Sequence, residues 1–288
     1  MHSSFQKHLE DQLSEEIKQK SHVSGGDISN AYKIDTAKST YFVKSSSDDQ
    51  ALKMYEAEAK GLQQIAATKT IATPKVITKG EFEGSDYLVL EFIASKRPNL
   101  QDFERLGVQL ASLHQAKNDA VFGNDHDNFI GSLPQCNKRH QNWAEYYVQE
   151  RLVPQLHMAE QKSLLTIAQI PETEILLNRC RQLLGEVPPS LLHGDLWGGN
   201  YLITTDGTPY LIDPAVYVGH SEVDIAMTKL FGGFGESFYK AYHEIIPPNE
   251  NQSELTDIYQ LYYLLVHLNL FGSSYLGSVL RILKKYFY

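Results

Sequence analysis

The sequence predicts an α+β chain of two unequal lobes. A small β-rich lobe covers residues 1–93 and a larger, mostly helical lobe covers 94–288, with a hinge at about 91–97. Three observations predict this. The first ninety-odd residues read β-β-α-β-β from their apolar alternation and turn residues. Beyond Pro98 the apolar residues recur mostly with helical spacing. One segment interrupts the helices, a strand–loop–hairpin pattern between residues 191 and 212. A length of 288 residues also accommodates two domains of roughly 150 residues each.

Taken in order, residues 3–20 read as a helix with charged faces. Val23-Ser24-Gly25-Gly26-Asp27 reads as a turn, followed by short strands at 31–34 and 40–44. Asp48 and Asp49 are placed to open a helix running to about Ile65, since carboxylates suit a helix N-terminus. Pro74 leads into strands at 75–78 and 87–92, with Glu83-Gly84 turning between them. Residues 94–99, containing Pro98, form a linker. Helices are expected at 101–117, 141–160, 172–184, 222–231, 235–246 and 254–270, with one more near the end. Short strands at 191–192, 201–204 and 209–212 surround the loop, the last two joined by Asp206-Gly207, a strong hairpin signal.

Composition excludes several classes. A formal net charge of −9 disfavours nucleic acid. The apolar run 261–271 is far short of the roughly 20 residues of a membrane span and reads as a buried helix. The N-terminus lacks the apolar core of a signal peptide. Cys136 and Cys180 have no metal-ligand spacing and read as reduced thiols in a cytoplasmic protein.

The chemistry is concentrated in His193-Gly194-Asp195-Leu196-Trp197-Gly198-Gly199-Asn200 and Leu211-Ile212-Asp213-Pro214. Asp195, an Asn five residues on and a second Asp after a hairpin have the order that phosphoryl transfer from ATP requires. Asp195 would accept the proton of the attacking hydroxyl, and Asn200 and Asp213 would offer oxygen to Mg²⁺, a hard cation. His193 either holds the loop or touches substrate. Trp197 either packs in the core or stacks on a sugar face.

The small lobe carries matching signals. Lys44 ends an alternating strand and shares a face with Phe42. Tyr55, Glu58, Leu62 and Ile65 fall on one helical stripe, so Glu58 sits on an apolar face. A buried carboxylate needs a partner, and Lys44 is the one expected, the pair positioning the phosphates. Glu56 is left to pair with Lys60 at the surface. Gly25 and Gly26 would let backbone N–H groups approach phosphate. Adenine would bond to the backbone around Glu91, Phe92 and Ile93, where the lobes join. Ser221 to Asp224 reads as a capping box; Glu222 or Asp224 could instead add negative field for a cationic substrate, or Asp224 could brace the loop. Phe231 to Gly235 reads as a helix stop followed by a restart.

With these residues in view the chain resembles the fructosamine kinase (ketosamine-3-kinase) family, within the aminoglycoside phosphotransferase-like, protein-kinase-like fold. The 193–200 stretch, Asp213-Pro214-Ala215, the run from Tyr217 to Met227 and Leu230 to Phe234 carry the resemblance, with Ser24 to Ile28 and Glu58 to Leu62 in support. It spans roughly residues 5–275. It implies ATP- and Mg²⁺-dependent phosphorylation of a ketoamine sugar, typically at the 3-hydroxyl, on a free or protein-linked amine, leading to deglycation. Another hydroxyl acceptor, such as an aminoglycoside or choline, is the competing reading. A non-catalytic ATP-binding regulator is a third, disfavoured because Lys44, Glu58, Asp195, Asn200 and Asp213 are all present. A protein-serine kinase is disfavoured too, as no Ala-Pro-Glu segment or long activation loop follows Asp213. The segment 284–288 matches nothing in the family pattern.

Overall fold

A computed structural model describes residues 1–23 and 30–288. The Gly25-Gly26 turn lies outside them.

The helix expected over 3–20 is two elements. Helix α1 (Ser3–Leu13) ends where Ser14 turns left-handed, and the chain continues as strand β1 (Ile17–His22). Only Ile17 of that strand is buried, so its polar run carries no period-2 signal. Its backbone is satisfied by pairing with β2 (Asn30–Thr36). With β3 (Thr40–Ser46), β4 (Val76–Phe82) and β5 (Ser85–Glu91) it forms an antiparallel sheet in the order β1-β2-β3-β5-β4.

Both faces of this sheet are covered. Ile34, Val43, Tyr87 and Val89 pack with Leu9 of α1 on one side. Helix α2 (Ala51–Thr68) covers the other, setting Tyr55, Ala59 and Leu62 against Leu88 and Leu90. Lys44 pairs in register with Ala31 and Leu88, so it points to the α2 face. A slip of one residue in β3 would turn Lys44 from the α2 face into the apolar layer under α1, and a slip in β5 would take Leu88 out of its place against α2. Leu88 is fully buried, and emptying such a site costs about 2–5 kcal/mol, which pins the register.

The N-terminus of α2 differs from expectation. It starts at Ala51, with no acid in its first turn, and Asp86 of β5 receives the Leu52 N–H at 2.8 Å. Asp48 instead receives the Gln50 N–H just before the helix. Helix and sheet are thereby joined by a contact distant in sequence.

The rest is mostly helical. Helix α3 (Leu100–His114) opens with a reciprocal capping box between Asn99 and Asp102. The helix expected over 141–160 is present but changes pitch: α4 (Trp143–Tyr146), a π-helical turn Tyr147–Leu152, then α5 (Val153–Gln161). After α6 (Thr173–Leu184) come β8 (Ser190–Leu192) and the hairpin β9 (Tyr201–Ile203) with β10 (Pro209–Leu211). Strand β11 (Tyr217–Gly219) pairs with β8, and α7 (Glu222–Leu230) and α8 (Glu236–His243) follow. Helix α9 (Gln252–Phe271) is buried along most of its length, and α10 (Leu276–Tyr286) packs across it. The final segment belongs to this core: Tyr286 and Phe287 are buried, and Lys285 bonds Asp257 at 2.9 Å. A further hairpin, β6 (Asn128–Ile130) with β7 (Leu133–Gln135), has strands too short to leave a period in the sequence. Among the described residues no helix is long and apolar enough to cross a membrane.

Candidate active site

A cleft of about 250 Å³ is lined from above by β3 and α2 and from below by the loop after β8. Lys44, Glu58, Asp195, Trp197, Asn200 and Asp213 all face it, as do Asn128 and Phe129 of the β6–β7 hairpin.

Lys44 Nζ bonds both oxygens of Glu58, at 2.8 and 2.9 Å, and also contacts Asp213 Oδ1. Burial works against the Lys44 ammonium, but Asp213 and Glu58 outweigh it and hold its pKa above the ordinary lysine value. One cation cannot compensate two carboxylates. Burial, with Asp213 adding to it, pushes Glu58 upward against the pull of Lys44. Asp213 overcomes burial through Lys44 and stays ionised below its ordinary pKa. Glu56 bonds Lys79 of β4 at 2.7 Å rather than Lys60, because the strand lysine reaches it across the helix–sheet seam.

The loop is held from beneath. Asp224 is fully buried and receives the N–H groups of His193, at 2.7 Å, and Gly194, at 2.9 Å, together with His114 Nε2 at 3.1 Å. Burial would raise its pKa, but His114 and these hydrogen bonds keep it below the ordinary carboxylate value. Asp224 is thus a brace and does not reach the cleft. Glu222 is also buried away from it, 3.5 Å from Gln252 Nε2. Ser221 makes no side-chain cap, so the expected capping box does not form.

His193 is buried. Its Nε2 donates to the Ile212 carbonyl at 2.9 Å, leaving Nδ1 to accept the Asp195 N–H at 3.3 Å. That pattern fits a neutral ring, and burial lowers its pKa. His193 therefore ties the two motif segments together. Gly194, at φ +83°, has no room for a Cβ, which would lie 2.1 Å from the Ala215 carbonyl oxygen. Asn200 Nδ2 donates to the Asp195 main-chain oxygen at 2.8 Å and to Oδ2 at 3.2 Å, leaving its amide oxygen as the acceptor end. Burial, then the charge of Asp213, raises Asp195 to about 7 despite the Asn200 hydrogen bond.

Trp197 is 42% exposed and lines the cleft, so it is not a core prop. At the end of β5, the Glu91 N–H is taken by Lys75 O and the Phe92 N–H by Thr40 O, and Lys33 lies over the Phe92 ring at 5.2 Å. The N–H groups of Glu91 and Phe92 are thus engaged within the protein, and residues 91–93 do not line this cleft.

Asn128, Phe129 and His114 carried no motif in the sequence. His114 could have been suspected as a basic residue in the last turn of an amphipathic helix. The hairpin residues gave no signal. For a metal, the oxygen donors of Asp213 and Asn200 suit a hard cation that shares its shell with phosphates. Among the described residues no group of three or more His, Cys, Asp or Glu forms a metal cage.

The fructosamine kinase family model matches residues 1–288. A probable ketoamine kinase of Synechocystis sp. is 41% identical over 271 residues, covering 93% of this chain and 90% of the relative. The crystal structure of a protein assigned as a fructosamine-3-kinase from Haemophilus somnus 129PT superposes with a TM-score of 0.87 at 29% identity, over 98% of this chain and 96% of that one. Aminoglycoside phosphotransferase APH(4)-Ia shares the fold, with a TM-score of 0.64 at 16% identity over 97% of this chain and 98% of that one. By the extent of these matches the chain belongs to the fructosamine kinase family of ATP-dependent phosphotransferases.

Proposed function

We propose that this protein transfers the γ-phosphoryl group of ATP to a hydroxyl of a ketoamine sugar, the 3-hydroxyl of a fructosamine or ribulosamine, with Asp195 as the base. The observation that carries the reading is the convergence of Lys44, Glu58, Asp195, Asn200 and Asp213 on one cleft. In the reaction the acceptor oxygen forms the new bond to phosphorus, the bond to the ADP oxygen breaks, and Asp195 takes the hydroxyl proton. A base poised near 7 is matched to that task at neutral pH. Lys44, oriented by Glu58, holds the phosphates from the sheet side. Asn200 and Asp213 would hold Mg²⁺, which when bound supplies charge neutralisation on the phosphates. Asp213 is paired with Lys44, and Asp195 in its ionised form supplies the negative field that suits an acceptor bearing a protonated amine. The two parts join at residues 91–97, which we read as the boundary between a nucleotide lobe, 1–93, and an acceptor lobe, 94–288. The likeness to APH(4)-Ia concerns the fold and says nothing of the acceptor.

ATP consumption measured with fructosyl-lysine, ribulosyl-lysine, free sugars and aminoglycosides tests the reading. Ketoamines should be turned over best. Asp195→Asn should fold, bind ATP and lose about 10²–10⁴-fold in turnover. Wild-type protein that ignores every ketoamine would sink the proposal.

A further inference from the structure

Beneath the cleft lies a cation that the proposed reaction does not use. Arg151 is fully buried and has no carboxylate partner among the described residues. The π-helical turn that carries it inserts an extra residue per turn, an irregularity often found near functional sites. Its guanidinium lies 4.0 Å from the ring centre of Tyr217 and 4.8 Å from that of Tyr146. It donates to Cys136 O and to Asn137 Oδ1, each at 2.6 Å. Those two residues directly follow β7. The planar fork of arginine fixes two acceptors at once, which a lysine cannot reproduce.

The same hairpin is fastened at its other end. Asn128 Nδ2 donates to Val216 O at 2.8 Å, and Gln135 Nε2 donates to Asn128 Oδ1 at 2.7 Å. Tyr262 of α9 donates to Gln135 Oε1 at 2.5 Å. The hairpin is therefore tied to the segment that follows Asp213. Between these ties Phe129 is only partly buried and faces the cleft that holds Asp195.

We propose that the β6–β7 hairpin is the acceptor-side wall of the cleft, with Phe129 the side chain that selects the acceptor and Arg151 the residue that positions the wall. The proposal rests on the phosphotransfer reading and assigns its acceptor specificity. Lys44 and the sheet approach the cleft from the nucleotide side, whereas the hairpin belongs to the same part of the chain as Asp195 and Trp197. An aromatic face here offers the sugar an apolar contact and the protonated amine of a ketoamine a favourable electrostatic surface.

The test measures KM for ketoamine and for ATP separately. Phe129→Ala should raise ketoamine KM about tenfold, keep ATP KM within about twofold and leave kcat nearly unchanged, the pattern of lost uniform binding. Phe129→Leu should recover the apolar part but not preference for the charged amine. Arg151→Lys, assayed as folded protein, should show the same split in milder form. Gln135→Met cuts the hairpin's link to Tyr262 while leaving the buried cation in place, and should do likewise where Arg151→Lys fails to fold. Unchanged ketoamine KM in Phe129→Ala, with wild-type protein active on ketoamines, overturns the wall. Equal losses for ATP and ketoamine in the folded Arg151 or Gln135 variant overturn the positioning role. Inactivity of the wild type on ketoamines would defeat the underlying reading instead.

Discussion

Lys44 is a partly buried cation and Arg151 a fully buried one, and they are neutralised in opposite ways. Lys44 meets two carboxylates, one of which, Asp213, stands open to the cleft. Arg151 meets carbonyl and amide oxygens and the faces of tyrosine rings. The first arrangement can be rearranged, because an incoming charge can take over one carboxylate. The second is fixed, because its partners are part of the core. His220 makes a third case. It is buried beside a tyrosine hydroxyl, 2.7 Å from Tyr259, with no ion-pair partner among the described residues, and burial drives its pKa down to about 3. A buried base thus keeps its proton only where something pays for the charge, and the kind of partner tells a working group from a scaffold.

Replacing each base separates the cases. Arg151→Met should be the most damaging to folding, by about 2–4 kcal/mol, since buried acceptors at Cys136 and Asn137 lose their donor. Chemical denaturation would measure it, and a neutral result would make Arg151 dispensable to the core. Lys44→Met should behave in reverse. Glu58 is already pushed toward its neutral form and can take up a proton, so the melting temperature should change little. Turnover should fall by about 10²-fold or more, because the phosphates lose their alignment. A large drop in stability there would erase the contrast.

His220 sharpens it through pH. Its folded pKa lies below the unfolded value, so the unfolded chain binds the extra proton. The contribution is complete above the unfolded pKa near 6.5 and is lost as pH falls through the window toward about 3. Stability should be about 2 kcal/mol lower at pH 5 than at pH 7 from this residue alone. His220→Phe should flatten that part of the profile, and an unaltered slope would place the proton elsewhere. Trp197→Ala should be the mildest, raising ketoamine KM severalfold with ATP affinity and melting temperature nearly intact, as befits a side chain 42% exposed.

The sequence made one half of this comparison legible. Lys44 ends an alternating strand and Glu58 interrupts an apolar stripe, so periodicity alone paired them, and the loop from His193 to Asn200 with Asp213 declared its chemistry by spacing. Arg151 was hidden because a π-helical turn breaks the 3.6-residue period that would have placed it inside. The β6–β7 hairpin was hidden because three-residue strands are shorter than any alternation can mark. Strand β1 reads as helix in the sequence because an edge strand needs backbone pairing more than apolar side chains, and that pairing is non-local. Asp224 was foreseen as a possible brace for the loop, but the three donors that converge on it come from α3 and the loop, which only the fold brings together.

The indole of Trp197 lies across the place where a side chain on Gly199 would sit, with a Cβ there only 2.5 Å from the ring. Residues 197 and 199 are consequently coupled, because a side chain at 199 requires the half-exposed indole to swing from its present place over the cleft. Substitution at 199 therefore also moves the aromatic ring that faces the acceptor. A library randomised at position 199 alone should favour glycine among active clones, whereas one built on Trp197→Ala should accept alanine and serine there more readily. One contact thus makes the two positions of this loop a single mutational unit.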